Sequence, residues 1–532
     1  MLIICHFGDR VREGFMRRKA IPLVQWLAVL GLVFSLTPFS FAQSTGKDRI
    51  VRAIDDSSRV TLQGNVRPMF RPENDMGPVE GSFKLENISF MFKFTESQQA
   101  DLTALLDELQ NPSSPNLHKW LTPEQFADRF GLSPSDVGKV VTWLQAQGFT
   151  VTQTARSRTW VSFSGTAAQV QAAFQTEIHH FSLDGKTYYA NATEPSVPGA
   201  FVDVLLAIHA LDNYSLKPAS VVRKLQSNLK PDFTSFISGN TYVSPADFAV
   251  IYDVDSLYAA GIDGTGQSIA VMGQSDLYSD ESGPSSDITA FRSASGLSVN
   301  PPQVILIPGA SDPGVVSGDI GEASLDVEWA GAVARNATII YVNGGSGGVL
   351  KALQYAIANN TAPVISISYG LCEADWGSPG PWSFANLNAF ANLAQEANTQ
   401  GQTIVAAAGD TGAAGCDSAL SSDATHGLAV LAPASFPNVT GMGGTEFNEG
   451  SGTYWAAATN GVDVSPSALS YIPEMVWNDA SHHETPITIC GQGEAELARP
   501  SPNRVGRRGP ACRTTMPETF QTFPLVPPCF TT

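Results

Sequence analysis

The chain has 532 residues and a formal charge of −19, with charged side chains making up only 15% of it. That length accommodates two to four domains with a large core, and 47 glycines and 34 prolines describe a loop-rich globular protein rather than a disordered or coiled-coil one. The negative charge, without any basic stripe interleaved with aromatics, argues against a nucleic-acid partner, whose phosphates would repel it.

Residues 1–42 read as an export signal. Arg17, Arg18 and Lys19 precede an apolar stretch from Ile21 to Phe34, and Ser40-Phe41-Ala42 puts small residues at the two positions a signal peptidase inspects. Cleavage after Ala42, and a secreted product in an extracellular or periplasmic compartment, are expected. The apolar run is short and Pro38 follows it, which disfavours a stable membrane anchor.

Residues 60–215 form a first unit. Apolar spacing predicts helices over Ser97 to Leu109, Pro134 to Gln147 and Thr166 to Phe174, and alternation predicts strands over Phe149 to Thr154 and Thr159 to Ser164. This mixture predicts an α+β sandwich. Residues 216–240 lack periodicity and read as an exposed linker. From 241 to 480, short apolar strands (Ser268 to Met272, Thr338 to Val342, Pro363 to Ile367, Thr403 to Ala407) alternate with helices (Glu322 to Ala334, Gly348 to Ala358, Phe384 to Thr399). That order predicts an α/β fold with a parallel sheet covered by helices, whose ligands bind beyond the carboxyl ends of the strands.

Three acids stand out in this second unit. Glu322 and Asp326 are four residues apart on a predicted helix, which places their Cβ atoms roughly 5 to 6 Å apart, close enough to share a proton. Asp410 ends the apolar run Ile-Val-Ala-Ala-Ala-Gly-Asp. Paired acids also serve glycosidases, but no cluster of Trp surrounds this helix, and no His or Cys joins the acids at metal-ligand spacing. His426 is the one histidine between Tyr242 and Asp479, and its setting lacks the surroundings of a Ser-His-Asp triad. Cys372 and Cys416, each just after a predicted strand end, are a disulfide candidate in an oxidising compartment, with a buried pair of free thiols as the alternative.

The motifs make the acids specific. Ser-Pro-Asn-Leu-His-Lys-Trp-Leu-Thr-Pro-Glu-Gln-Phe from Ser114 and Phe-Ser-Gly-Thr-Ala-Ala-Gln-Val-Gln-Ala-Ala-Phe from Phe163 lie in the first unit. Gly-Glu-Ala-Ser-Leu-Asp-Val-Glu-Trp-Ala, Ile-Ser-Tyr-Gly, Ala-Gly-Asp-Thr-Gly-Ala and Pro-Ala-Ser-Phe-Pro-Asn-Val-Thr-Gly-Met-Gly-Gly-Thr follow in the second. In this order they resemble the sedolisins, serine-carboxyl peptidases of subtilisin-like fold preceded by a kumamolisin-type activation prodomain. The resemblance implies a sheet with helices on both faces, incomplete at its C-terminal end. It also implies protein or peptide substrates, the chain's own prodomain as intramolecular inhibitor, a monomer, and a bound calcium. Glu322 would be the general base for a serine, Asp326 its orienting partner, and Asp410 an oxyanion-hole donor that must be protonated to donate, so that the site works in acid. A Glu with an ordinary pKa of about 4.3 remains partly ionised there, whereas a histidine base would be protonated.

Two parts of the pattern are missing. Nothing after Asp410 resembles the family's Gly-Thr-Ser-Ala-type nucleophile motif or its calcium loop, and Ser418, Ser421 and Ser422 lie too near Asp410 to replace it. After Asp479 the composition turns abruptly to His482-His483, Arg and Cys. Re-read from the third base, codons compatible with Pro502 onward permit Lys-Pro-x-Trp-Gln-x-Gly-x-Gly-Val-Pro-x-Asp, similar to the segment before a sedolisin's serine. A reading-frame change between about Ser481 and Gln492 is expected, leaving residues 481–532 out of frame.

Overall fold

The structure, a computed structural model, describes residues 46–183, 185–219, 233–234, 241–280, 283–372, 385–417, 425–456 and 466–476. The expected signal, most of the expected linker and the tail lie outside these residues. The described residues form one compact unit, in which an N-terminal and a C-terminal lobe can be distinguished.

The N-terminal lobe contains strand β1 (Lys84–Phe92), helices α1 (Glu96–Gln110), α2 (Pro123–Phe130) and α3 (Pro134–Ala146), strands β2 (Thr150–Thr154) and β3 (Trp160–Thr166), helix α4 (Ala167–Phe174) and strand β4 (Leu205–His209). Its sheet is antiparallel in the order β2-β3-β1-β4. Local sequence sets the helix starts: Thr95 with Gln98, Thr122 with Gln125 and Thr166 with Gln169 each close a capping box, satisfying two orphan donors apiece. Alternation then sorts the strands. Phe90, Phe92, Val161 and Phe163 pack against Val140, Trp143, Leu144, Val170 and Phe174 of α3 and α4. Strand β1 was not evident from periodicity because Asn87 adopts φ +54° at an irregularity in the pairing, so that Leu85 and Ile88, three residues apart, are both buried.

The C-terminal lobe is built on strands β5 (Ser268–Gly273), β6 (Gln303–Leu306), β7 (Thr338–Asn343), β8 (Val364–Ile367), β9 (Tyr369–Cys372), β10 (Thr403–Ala407) and β11 (Thr440–Met442), with helices α5 (Ile320–Val333), α6 (Val349–Ala358) and α7 (Ala385–Thr399) between them. Six strands form a parallel sheet in the order β6-β7-β5-β8-β10-β11. Successive side chains divide between its faces as a period of two requires. Val271, Ile339 and Tyr341 meet Ala323 and Val327 of α5, whereas Ala270, Met272, Ile340 and Val342 meet α6 and α7. Helices therefore cover both faces.

The second face of the N-terminal sheet is not left to solvent. Met91, Trp160 and Ala207 join the same core as Leu350, Leu353 and Phe390 of α6 and α7, so the two lobes share one apolar cluster. Polar groups are buried in the joint as well. Lys351 is only 3% exposed; its Nζ donates to Ser89 Oγ across the lobes, and burial holds it well below its ordinary range. A depressed lysine costs stability at every pH below its unfolded value. Lys351→Met is thus expected to raise the melting temperature near neutral pH, because Ser89 keeps Gln354 and Ser162 as partners; a fall in thermal denaturation would contradict this. Gly401, in the left-handed region at φ +75°, lies under the Trp120 ring, which an added Cβ would meet at 2.7 Å. Gly401→Ala is expected to loosen the lobe contact and expose Trp120, read as a red shift of its fluorescence.

Candidate active site

Helix α5 carries Glu322 in its first turn and Asp326 one turn later, so both carboxyls lie on one face. Glu322 is 7% exposed and sits near the positive end of the helix dipole. Asp326 accepts from Ser368 Oγ at 2.7 Å through Oδ1. Burial first, and then the charge of Glu322, push Asp326 well above the usual carboxylate range. Its buried Oδ2 meets no N–H or hydroxyl donor among the described residues. Two carboxyls placed so closely disfavour ionisation of both, and a proton shared between them would satisfy that oxygen.

The surroundings raise neighbouring acids as well. Asp319, immediately before α5, accepts from Gln274 Nε2 at 2.8 Å and is raised by burial. The Tyr369 hydroxyl is pushed up by burial and then by Asp319, Tyr341, Asp326 and Glu322 around it. Farther along α5, burial and then Asp287 push Glu328 up to about 7.

Asp410 follows β10 at the carboxyl end of the sheet. Gly409 precedes it at φ +98°, a conformation that turns the chain sharply and that a side chain would strain. The N–H of Asp410 donates to the carbonyl of Ala219 at 3.1 Å, and the N–H of Ala219 donates to the carbonyl of Ser368 at 2.8 Å. A line of contacts thus runs from Asp326 through Ser368 and Ala219 to Asp410. The start of the segment expected to be an exposed linker is here a strand: Lys217–Pro218 pairs antiparallel with Tyr369 and Gly370 of β9. Backbone pairing along β9, which also pairs with Leu431–Ala432 and which side-chain periodicity does not report, explains the difference.

Cys372 and Cys416 are joined as a disulfide, tying the end of β9 to the loop after Asp410. His426 is exposed and meets Asp417 Oδ1 through Nδ1 at 2.8 Å. Although burial works against it, hydrogen bonds from His426 and Thr425 hold Asp417 down to about 2. Ser418, Ser421 and Ser422, and the position expected for a calcium loop, lie outside the described residues. Among the described residues no group of three or more His, Cys, Asp or Glu comes together to hold a metal.

Sequence reasoning singled out Ile-Ser-Tyr-Gly but gave its Ser368 and Tyr369 no role, and it missed Gln274 and Asp319. The one available signal was position, since Gln274 and Ser368 each directly follow a strand of the parallel sheet.

Two family models match in succession: the pro-kumamolisin activation domain over residues 79–214 and the subtilase family over residues 315–483. The chain belongs to the sedolisin family. Its α/β sheet with helices on both faces is the subtilisin-like fold, behind an activation-domain lobe, and Glu322, Asp326 and Asp410 all fall within the subtilase match. Among relatives, sedolisin of Pseudomonas sp. (strain 101) is 28% identical over 74% of this chain and 63% of its own length. Xanthomonalisin of Xanthomonas sp. (strain T-22) is 29% identical over 67% and 45%, and kumamolisin of Bacillus sp. (strain MN-32) is 27% identical over 84% and 78%. This sedolisin-family chain thus spans less than two thirds of the first two relatives. Among its described residues, no helix is long and apolar enough to cross a membrane.

Proposed function

We propose that the chain is the precursor of a secreted, acid-acting serine-carboxyl endopeptidase of sedolisin type, monomeric, whose N-terminal lobe inhibits it, and whose nucleophilic serine is lost from the written sequence by a reading-frame change. Glu322 would take the proton of the serine hydroxyl, Asp326 would orient Glu322, and Asp410 would stabilise the oxyanion. The observation that carries this reading is the buried Glu322–Asp326 pair, connected through Ser368 to a peptide carbonyl that an Asp410 N–H already grips. Such a pair suits proton transfer in acid, where a histidine base would be saturated.

Resequencing the gene across codons 475 to 500, followed by casein hydrolysis in acid and at neutral pH, tests it. A restored Gly-Thr-Ser motif with hydrolysis confined to acid is expected; hydrolysis that persists undiminished at neutral pH would contradict the protonated-Asp410 role. The rival reading is a catalytically dead, protease-like binding protein. The lack of a family-type serine motif after Asp410 favours it, and an unaltered frame on resequencing would support it.

A further inference from the structure

Strand β1 breaks its regular pairing between Leu85 and Ile88, and a side chain released there crosses to the other lobe. Glu86 Oε1 accepts from Ser311 Oγ at 2.8 Å, and Oε2 accepts from Ser346 Oγ at 2.6 Å and from the Ser311 N–H at 3.1 Å. Both carboxylate oxygens are therefore gripped, and these donors all belong to the C-terminal lobe. The grip does not depend on Glu86 for its shape. The Ser346 N–H donates to the Ser311 carbonyl at 3.0 Å and the Ser311 N–H donates to Ser346 Oγ, also at 3.0 Å, so the two loops hold each other. Gly345, at φ +53°, permits the approach, because a Cβ there would meet the Ser311 carbonyl oxygen at 2.6 Å. Its N–H is fixed in turn by Asn343 Oδ1 at the end of β7. Asp312, the acid next to the socket, turns Oδ1 to the Gly314 N–H. Although burial works against it, hydrogen bonds from Ser346 and then Ser311 hold Glu86 below its ordinary range, so a carboxyl seated here keeps its charge further into acid than a free one. Glu86 and Ser346 line a cavity of about 270 Å³ together with Gln274 and Asp319, and Asp319 directly precedes the helix that carries Glu322.

Resting on the peptidase reading above, we propose that Ser311 and Ser346 form a carboxylate-binding subsite of the cleft, stoppered by Glu86 in the intact chain and filled, when Glu86 withdraws, by an acidic side chain of an extended peptide substrate. Donors already fixed by their own loops lose little freedom on binding, so the interaction is spent on affinity rather than on ordering the site. A glutamine in place of the acid satisfies one side of the socket but turns an amide NH₂ toward the donors of the other, which gives the subsite its selectivity.

Two measurements decide it. In the 532-residue chain carrying Glu86→Ala, hydrogen exchange at the Ser311 amide is expected to quicken about fivefold, and sodium acetate is expected to slow it again where equal concentrations of sodium chloride or acetamide do not. In the frame-restored chain, peptides with amidated carboxyl ends and a single glutamate moved through successive positions are compared in acid with their glutamine counterparts. One position is expected to favour glutamate about tenfold in kcat/KM, and Ser311→Ala combined with Ser346→Ala is expected to bring that ratio down to about one. Exchange indifferent to acetate, or casein hydrolysis without a glutamate preference that the double substitution removes, overturns the proposal and leaves the peptidase reading intact. A frame-restored chain that hydrolyses neither casein nor any of the peptides overturns both.

Discussion

Glu322→Gln in the frame-restored chain is expected to lower kcat/KM for a peptide substrate in acid by about 10²–10⁴, the contribution of a positioned general base. The substitution keeps the side chain's shape and its place in the first turn of α5, so the loss would reflect proton transfer rather than packing. Because Glu322 is buried against Asp326, a circular-dichroism melt belongs beside the kinetic measurement. Unchanged melting with abolished turnover supports the role, and unchanged turnover removes Glu322 from the mechanism. Asp326→Asn makes a useful companion, since it retains a hydrogen-bond partner for Ser368 Oγ but removes the charge that makes the pair share a proton.

A second large effect is expected in stability against pH, and Glu396 of α7 is one of its sources. This carboxyl is fully buried where the lobes meet, accepting from Thr159 Oγ1 at 2.9 Å and from Gln400 Nε2 at 3.3 Å. Burial pushes it up to about 7 from an ordinary 4.5, and the hydrogen bonds from Ser157, Thr159 and Gln400 offset only part of that. A raised carboxyl binds its proton more tightly in the folded state, so the stabilisation is fully present below 4.5 and is lost as pH rises through about 7. The amount is about 3 kcal/mol, or roughly 3 to 6 °C in melting temperature for a chain of this size. Glu328, raised to about 7 on α5, acts in the same direction. The chain should therefore melt at a higher temperature near pH 4.5 than near neutrality, and Glu396→Gln should flatten part of that slope, with Asp326 and Glu328 keeping the rest. A slope unaffected by the substitution would show that Glu396 is hydrated in solution.

Much of this arrangement is legible in the sequence, and the reasons differ from element to element. Strands β5, β7 and β10 and helices α5, α6 and α7 fall within a residue or two of the spans that apolar periodicity predicts, because each is long, buried and regular. Strand β1 escapes notice where Asn87 breaks the alternation, and β6 because Gln303, Val304 and Leu306 are exposed at the sheet edge. The spacing of Glu322 and Asp326 announces one helix face, but their coupling to Ser368 depends on where β8 ends beside α5. Ala219 is the hardest to foresee, since its part is played by its main chain, about which side-chain type says nothing.

The apolar cluster common to both lobes has a consequence for how the molecule ages. While the chain is intact, Met91, Trp160 and Ala207 are delivered to α6 and α7 by covalent connection, at an effective concentration that dilution cannot lower. Were the connection cut, the contact would become an ordinary bimolecular equilibrium, and the stability of each half would acquire a dependence on protein concentration that the intact chain lacks. Dilution, which does nothing to the intact chain, would then separate the halves and uncover the faces they had shared.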